Sequence, residues 1–106
     1  MNIRVRDRDL DRLKVNAAEA AEFLQLLGND KRLLILCELM AAGEMPVNML
    51  ADAVGLSQSA LSQHLAKLRA DDLVRTRRES QTIYYSLSRD LRVKRTLALL
   101  KQLFCE

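Results

Sequence analysis

Short, uncharged polar side chains form one face of the helix predicted within residues 55–69, GLSQSALSQHLAKLR. Leu61, Leu65 and Leu68 have the i, i+4, i+7 spacing of a buried helix face. Serine is a mediocre residue inside a helix, because its hydroxyl competes for backbone hydrogen bonds. Hydroxyl and amide groups can, however, bind base edges and are short enough to let a helix enter the DNA major groove. We therefore predict a base-reading face made of Gln58, Ser59, Ser62 and Gln63.

The residues before this helix complete a predicted helix-turn-helix over residues 46–69. A short helix is predicted over residues 45–55 with Pro46 in its first position, and Ser57 is the expected N-cap of the next helix. Ala51 and Gly55 supply the small contact and the turn that two steeply crossing helices need. The apolar contacts that set the crossing angle are predicted to be Leu50, Val54, Leu56 and Leu61. Basic side chains that could hold DNA phosphates beside the reading face are Lys67 and Arg69.

A change to alternating apolar and polar residues predicts a β-hairpin over residues 73–88, turning near Glu79 and Ser80. Three arginines, Arg75, Arg77 and Arg78, lie on its first strand. Directly after a helix-turn-helix, such a hairpin is typical of a wing that contacts the DNA backbone or minor groove. The alternative for the arginines is a solvated edge strand that charge protects from aggregation.

His64 is the single histidine of the chain and lies about 60° from Leu61 around the helix. This position on the flank of the apolar stripe favours a packed, hydrogen-bonded residue at the domain surface. A phosphate contact is the second interpretation, and a metal ligand is the third because no second histidine exists to join it.

The remaining elements are three predicted helices and an N-terminal segment. The helix over residues 16–28 has Asn16 as expected N-cap, and the helix over residues 30–44 has Asp30 as N-cap and Gly43 as its end. The apolar face of the second helix is predicted to contain Leu33, Leu34, Leu36, Cys37 and Met40. Residues 1–15, where arginine and aspartate alternate, are predicted to be solvated and partly disordered.

The last helix, within residues 89–106, places Val93, Leu97, Leu100 and Phe104 in line. Together with Ala17, Ala20, Ala21 and Leu24, this stripe offers more apolar surface than one core of this size should absorb. We therefore predict a homodimer built on helices 16–28 and 89–105, with closure of the monomer core as the alternative. The expected fold is mainly α: a winged helix-turn-helix domain over residues 16–106, with four helices, a hairpin and a C-terminal helix.

Composition excludes several classes of protein. The 106 residues are 49% apolar, which fits one globular domain, and the net charge of +3 favours an anionic partner only weakly. No apolar run approaches the roughly 18 residues of a membrane span, and no signal-peptide core is present, so we expect a cytoplasmic protein without a membrane partner. Two cysteines 68 positions apart form no disulfide framework, and the sequence predicts no cofactor. A thiol oxidoreductase would need an accessible, low-pKa cysteine, whereas Cys37 lies in the apolar stretch LLILCELM; we expect no enzyme.

The order of elements and the sequence LSQSALSQHLAKLRADDLVRTRRESQTIYYSL (56–87) resemble the ArsR/SmtB family of dimeric winged-helix repressors. The resemblance covers about residues 16–106, and LCELMAAGEM (36–45) and LFCE (103–106) are similar to its BigR/SqrR branch. It implies a homodimer that binds an imperfect palindromic operator and leaves DNA when its inducer arrives. It further implies that Cys37 and Cys105 sense reactive sulfur species or oxidants through a disulfide or polysulfide bridge, controlling sulfide-detoxification genes.

The sequence departs from the metal-sensing members of that family. The positions of their Cys-Val-Cys triplet read Pro46, Val47 and Asn48, and the last helix has Asp90 but no histidine, so no metal site is expected. Two alternatives stay open: a repressor that responds to a metal or to no ligand, and a winged-helix protein-interaction module. An interaction module would be expected to fill the reading face with large apolar side chains.

Overall fold

The computed structural model describes residues 7–105 as five helices and a three-stranded antiparallel sheet. In chain order the elements are α1 (Asp7–Leu27), α2 (Asp30–Ala42), β1 (Met45–Pro46), α3 (Val47–Val54), α4 (Gln58–Ala70), β2 (Val74–Glu79), β3 (Thr82–Leu87) and α5 (Leu91–Phe104). The predicted fold class, a mainly α winged helix-turn-helix with a β-hairpin wing, is confirmed.

Helix α2 lies at the centre of the molecule and contacts α1, α3, α4, α5 and β3. Its buried residues are Ile35, Leu36 and Leu39. The wider apolar face expected from the sequence is wrong in part, because Leu34, Cys37 and Met40 are exposed. At 100° per residue, Leu34 and Cys37 lie roughly 150° from the middle of the buried face, so the leucine-rich sequence hides a clear inner and outer side.

Helix α1 is longer than expected. The predicted start at Asn16 is wrong, because the helix already includes Asp7. Acidic Asp7 and Asp9 favour the positive end of the helix dipole, and residues of opposite charge recur three positions apart, as in Asp9 and Arg12. Residues 7–15 are therefore a charged, exposed helix. The partly disordered segment predicted over residues 1–15 is helical from Asp7 onward, and its first six residues lie outside the described range.

Two helix starts differ from the sequence prediction. The N-cap of α2 is Asn29, whose side chain accepts the backbone N–H of Arg32 at 3.1 Å, and Asp30 is the first helical residue. Pro46 is the N-cap of α3 and, with Met45, forms the short strand β1, which pairs with Tyr84 and Tyr85 of β3. Residues 45 and 46 were expected to be helical, and two residues are too few to show a strand period.

The hairpin is confirmed, with a turn at residues 80 and 81, one position later than predicted. Ser80 has a left-handed backbone (φ 56°). Tyr85 and Leu87 of β3 pack against the core, which accounts for the alternation seen in the sequence. Strand order β1-β3-β2 places β3 in the middle, so the wing is joined to the body by backbone pairing as well as by its two ends.

Helix α5 begins after Asp90, whose carboxylate accepts the backbone N–H of Arg92 at 2.9 Å. Val93 and Leu97 are buried in the monomer core, so the predicted stripe is not free as a whole for a dimer. Leu100 is half-buried and Phe104 is 78% exposed. The apolar residues that α5 leaves exposed include Leu99, Leu103 and Phe104.

The turn between α3 and α4 depends on Gly55, as predicted. Its backbone is left-handed (φ 69°), and the N–H of the following Leu56 bonds the Ala51 carbonyl at 3.0 Å. Leu50, Val54 and Leu61 are buried against each other's helices, and Leu56 packs on the same core. Ser57 is the N-cap of α4, accepting the Ala60 N–H at 3.1 Å.

Gly55→Ala should lower the free energy of unfolding by roughly 1–2 kcal/mol, because a residue with a Cβ disfavours the left-handed backbone. An added Cβ meets nothing within 4 Å, so a clash would not contribute. Gly55→Asn is the control and should lose less, since asparagine tolerates this conformation. Urea unfolding followed by circular dichroism measures both, and an alanine variant as stable as the parent would contradict the prediction.

Candidate DNA-binding interface

Helix α4 turns a polar face to solvent because its leucines are held inside. Leu61, Leu65 and Leu68 are buried to 1% exposure or less. The four predicted base-reading residues are all exposed, and none of their side chains hydrogen-bonds another residue within 7–105: Gln58, Ser59, Ser62 and Gln63. The capping hydroxyl of Ser57 is occupied, whereas these four side chains have unused donors and acceptors.

The basic residues predicted at the end of α4 are in place. Both are exposed in its last turn: Arg69 lies in line with Gln58 and Ser62 on the polar face, and Lys67 lies beyond Gln63 at its edge. His64 is half-buried beside the leucine stripe, as expected, but it makes no hydrogen bond to the described part of the chain. Its predicted hydrogen bonding is therefore wrong for residues 7–105, while the packed position is confirmed.

The three wing arginines are not equivalent. Arg75 and Arg78 are exposed, and among the described residues no carboxylate lies in salt-bridge contact with either. Arg75 lies opposite Ser86 and Arg78 lies opposite Ile83, so the two side chains leave opposite faces of the hairpin. These two guanidinium groups can meet DNA phosphates without first leaving a carboxylate among residues 7–105.

Arg77 is held by two carboxylates and an aromatic ring. Its Nε and Nη2 donate to Oε2 and Oε1 of Glu44 at 3.1 and 2.7 Å, and its Nη1 donates to Oε2 of Glu79 at 2.7 Å. The guanidinium carbon lies 4.6 Å from the ring centre of Tyr84, within cation–π range. The hydrogen bonds from Arg77 hold the pKa of Glu44 below its ordinary value, so the pair stays ionised at neutral pH. We call Glu44, Arg77, Glu79 and Tyr84 the Arg77 clamp.

The two cysteines lie on packed helices near one another. Cys37 is on the outer side of α2, Cys105 caps the C-terminal end of α5, and α2 contacts α5. Both are free and exposed. Partial burial raises the pKa of the Cys37 thiol, and the negative charges of Cys105 and Glu38 raise it further. Cys105 is therefore close enough to Cys37 to act on its thiol electrostatically.

Helices α1 and α5 enclose an apolar groove of about 660 Å³. Ala20, Phe23 and Leu24 line it from α1, and Arg92, Arg95 and Thr96 line it from α5. Leu24 is 61% exposed. Leu99 and Leu103 of α5 are also exposed. The alanines Ala17, Ala20 and Ala21 are exposed as well. A single chain therefore leaves the predicted dimer face of α1 uncovered.

Arg92 lines this groove and connects the two helices that form it. Its guanidinium contacts Asp90 at 2.7 Å and Glu19 of α1 at 3.3 Å, and it lies 5.4 Å from the ring centre of Phe23. The contacts join the start of α5 to α1.

Within residues 7–105, no three histidine, cysteine or acidic side chains are grouped so that they could hold a metal ion. None of the helices in this range combines the length and apolar character needed to cross a bilayer.

Comparison with known proteins decides the family. Residues 29–76 match the model of the family described as bacterial regulatory protein, arsR family. The transcriptional activator HlyU of Vibrio cholerae is 46% identical over 98 residues, which cover 92% of this chain and 89% of HlyU. The chain belongs to the arsR family. It is thus a DNA-binding transcriptional regulator and not an enzyme, as predicted.

Solved structures of arsR-family regulators share the fold over most of the chain. Reduced HlyU from Vibrio cholerae superposes with a TM-score of 0.82 at 46% identity, covering 90% of this chain and 98% of HlyU. The transcriptional repressor BigR from Xylella fastidiosa gives a TM-score of 0.82 at 32% identity, covering 91% of this chain and 96% of BigR. NolR from Sinorhizobium fredii gives 0.74 at 47% identity, covering 97% of each chain.

Sequence reasoning missed the Arg77 clamp. Glu44 and Arg77 are 33 positions apart, and no local period connects the end of α2 with the wing. The sequence around Glu44 and Arg77 does not indicate that the two side chains pair. Their proximity follows only from the strand register, which places Arg77 opposite Tyr84.

Proposed function

We propose that this regulator is a repressor that binds an imperfect palindromic operator as a homodimer and releases it when persulfides or oxidants link Cys37 to Cys105. The observation that carries the DNA-binding part is the exposed face of Gln58, Ser59, Ser62 and Gln63, whose donors and acceptors are unused within the described chain. The protein would act in the cytoplasm, which holds bacterial DNA, and would control sulfide-detoxification genes.

Base reading and phosphate binding fall to different elements in this proposal. Helix α4 enters the major groove with its polar face, where amide and hydroxyl groups distinguish base pairs. Phosphates are bound by basic side chains of α4 and of the wing, with His64 as a second choice: Lys67, Arg69, Arg75 and Arg78. An interaction module is the weaker alternative, because the outer face of α4 is polar and lacks the large apolar groups typical of protein interfaces.

The exposed apolar surface of α1 and α5 supports the homodimer. Leu24, Leu99 and Leu103 are each more than half exposed, which is costly for a chain that remains alone in water. A two-fold axis at this surface would repeat α4 about 34 Å away, one turn of DNA, and would explain a palindromic operator.

The switch proposed for the cysteines follows thiol exchange chemistry. The Cys105 thiolate attacks the outer sulfur of a persulfide RSSH, becomes Cys105–S–SH and releases the thiolate RS⁻. Cys37 then loses its proton to water and attacks the Cys105 sulfur, forming the disulfide and releasing HS⁻. The raised pKa of Cys37 is compatible with its reacting second, because it lowers the fraction of this thiol that is ionised at neutral pH. A further sulfane sulfur would give a polysulfide bridge.

The link would change DNA binding through α2. It joins the outer side of α2 to the end of α5, and α2 also packs against α3 and α4. A shift of α2 relative to α5 would alter the spacing of the two α4 helices in the dimer. A hundredfold loss of operator affinity requires a coupling free energy of only about 2.7 kcal/mol. The relatives give support of a general kind, since BigR is a repressor and one structure is of reduced HlyU.

Ser59→Ala and Gln63→Ala should each weaken binding to the operator by roughly 1–3 kcal/mol and leave binding to a scrambled duplex nearly unchanged. The operator is found first by selection from random duplexes, and fluorescence anisotropy gives both affinities. Arg75→Ala is the contrasting variant: it should weaken binding to both duplexes and flatten the salt dependence. Equal loss on both duplexes for the α4 variants would contradict base reading.

Leu103→Glu should convert the dimer to a monomer at micromolar concentration. Leu103 is exposed in the single chain, so a charge there leaves the monomer core intact, whereas burying that charge in an apolar interface would be costly. Light scattering measures the mass. Met49→Glu on α3 is the matched control, since Met49 is similarly exposed but lies away from α1 and α5. A parent protein that is itself monomeric at this concentration would rule out the dimer.

Cys37→Ser and Cys105→Ser should each bind the operator as the parent does and remain bound after persulfide or peroxide treatment. Mass spectrometry of the treated parent should show the loss of two hydrogens for a disulfide, or added sulfur for a polysulfide, between the two peptides. If either variant still releases DNA on treatment, the two-cysteine switch is wrong, and a repressor that responds to a metal or to no ligand becomes the better account.

A further inference from the structure

The Arg77 clamp places a basic residue on the wing and neutralises it. One arginine faces two carboxylates, so the clamp as a whole carries a net negative charge at neutral pH. Its contact with Glu44 uses two parallel N–H···O bonds, the geometry with which arginine binds carboxylate and phosphate most strongly. A DNA phosphate would have to displace those bonds to bind Arg77.

The clamp spans the sheet. Arg77 on β2 is paired with Tyr84 on β3, and Tyr84 is paired with Pro46 on β1. Glu44 stands just before β1, so the arginine side chain reaches over the tyrosine ring to a carboxylate fixed at the far side. The position of Glu44 depends on the body of the domain, whereas Arg75 and Arg78 make no such connection.

We propose that Glu44, assisted by Glu79, determines specificity by withholding Arg77 from phosphates of non-operator DNA. Contacts to phosphates carry no sequence information, so an unpaired arginine at this position would raise affinity for every duplex. On the operator, base contacts of α4 hold the wing against the backbone, and a phosphate near Arg77 then competes with Glu44 at high local concentration. This inference rests on the proposed operator binding.

The test measures binding of the full-length protein to operator and to a scrambled duplex of equal length over a salt series. Glu44→Gln keeps the size of the side chain and removes its charge. It should raise affinity for the scrambled duplex by roughly fivefold per wing at 0.15 M salt and steepen the salt slope by about 0.9 per wing. Affinity for the operator should rise less, so the ratio of the two affinities falls. Glu79→Gln should act in the same direction more weakly, because Glu79 accepts one hydrogen bond from Arg77 where Glu44 accepts two.

Two controls separate the clamp from general charge. Asp52→Asn changes the net charge equally at another exposed carboxylate, on α3, and should raise the scrambled-duplex affinity less than Glu44→Gln. In the Arg77→Ala background, Glu44→Gln should change neither affinity beyond the Asp52→Asn level. An effect that persists without Arg77, or a folded Glu44→Gln protein that binds both duplexes more weakly, overturns the inference.

The outcome also distinguishes this inference from the proposed function. If the parent protein binds no duplex more tightly than random DNA, the proposed operator binding is wrong. If the parent prefers its operator and Glu44→Gln leaves the ratio of the two affinities unchanged, only the inference about Glu44 is wrong.

Discussion

The buried face of α2 is the contact on which the other elements depend. Ile35, Leu36 and Leu39 are almost completely removed from water, and the helix touches every other helix and the central strand of the sheet. Burial of three such side chains contributes roughly 5–9 kcal/mol, comparable to the whole stability of a small domain. A rigid α2 fixes where α3 and α4 stand, and thereby which face of α4 meets solvent.

The same helix connects the polar face of α4 with the cysteines. Cys37 lies on the outer side of α2, roughly opposite the leucines that α3 and α4 pack against. The proposed covalent link at that side would act on a helix whose other side supports the DNA-binding motif. Packed interiors resist small continuous deformation and rearrange between discrete states. A bond of this kind could therefore change the position of α4 without contacting it directly.

Local patterns predicted most of the fold, and long-range pairing explains most of what was missed. The leucine period of α4, the turn at Gly55 and the alternation in β3 each arise within one element, and each is present in the structure. Strand β1 exists only because Tyr84 and Tyr85 provide partners some 39 residues away, and Glu44 meets Arg77 for the same reason. The sequence did not predict that Cys37 is exposed. Helix α2 has apolar residues on all sides, and only tertiary packing determines which of its faces is buried.

The net charge of this protein is small for a DNA-binding regulator, which bears on how it can recognise a sequence. The net charge is only +3, and the Arg77 clamp offsets one wing arginine with two carboxylates. Non-specific binding grows with the number of phosphates neutralised, so the ion pairs that hold Arg77 lower what the protein gains from DNA in general. In the proposed dimer, more of the operator affinity would then come from the uncharged face of α4 and from its repetition in the second subunit. Binding by the proposed dimer would then be sensitive to the distance between its two α4 helices, because a displaced half-site loses base contacts that phosphate contacts cannot replace in kind.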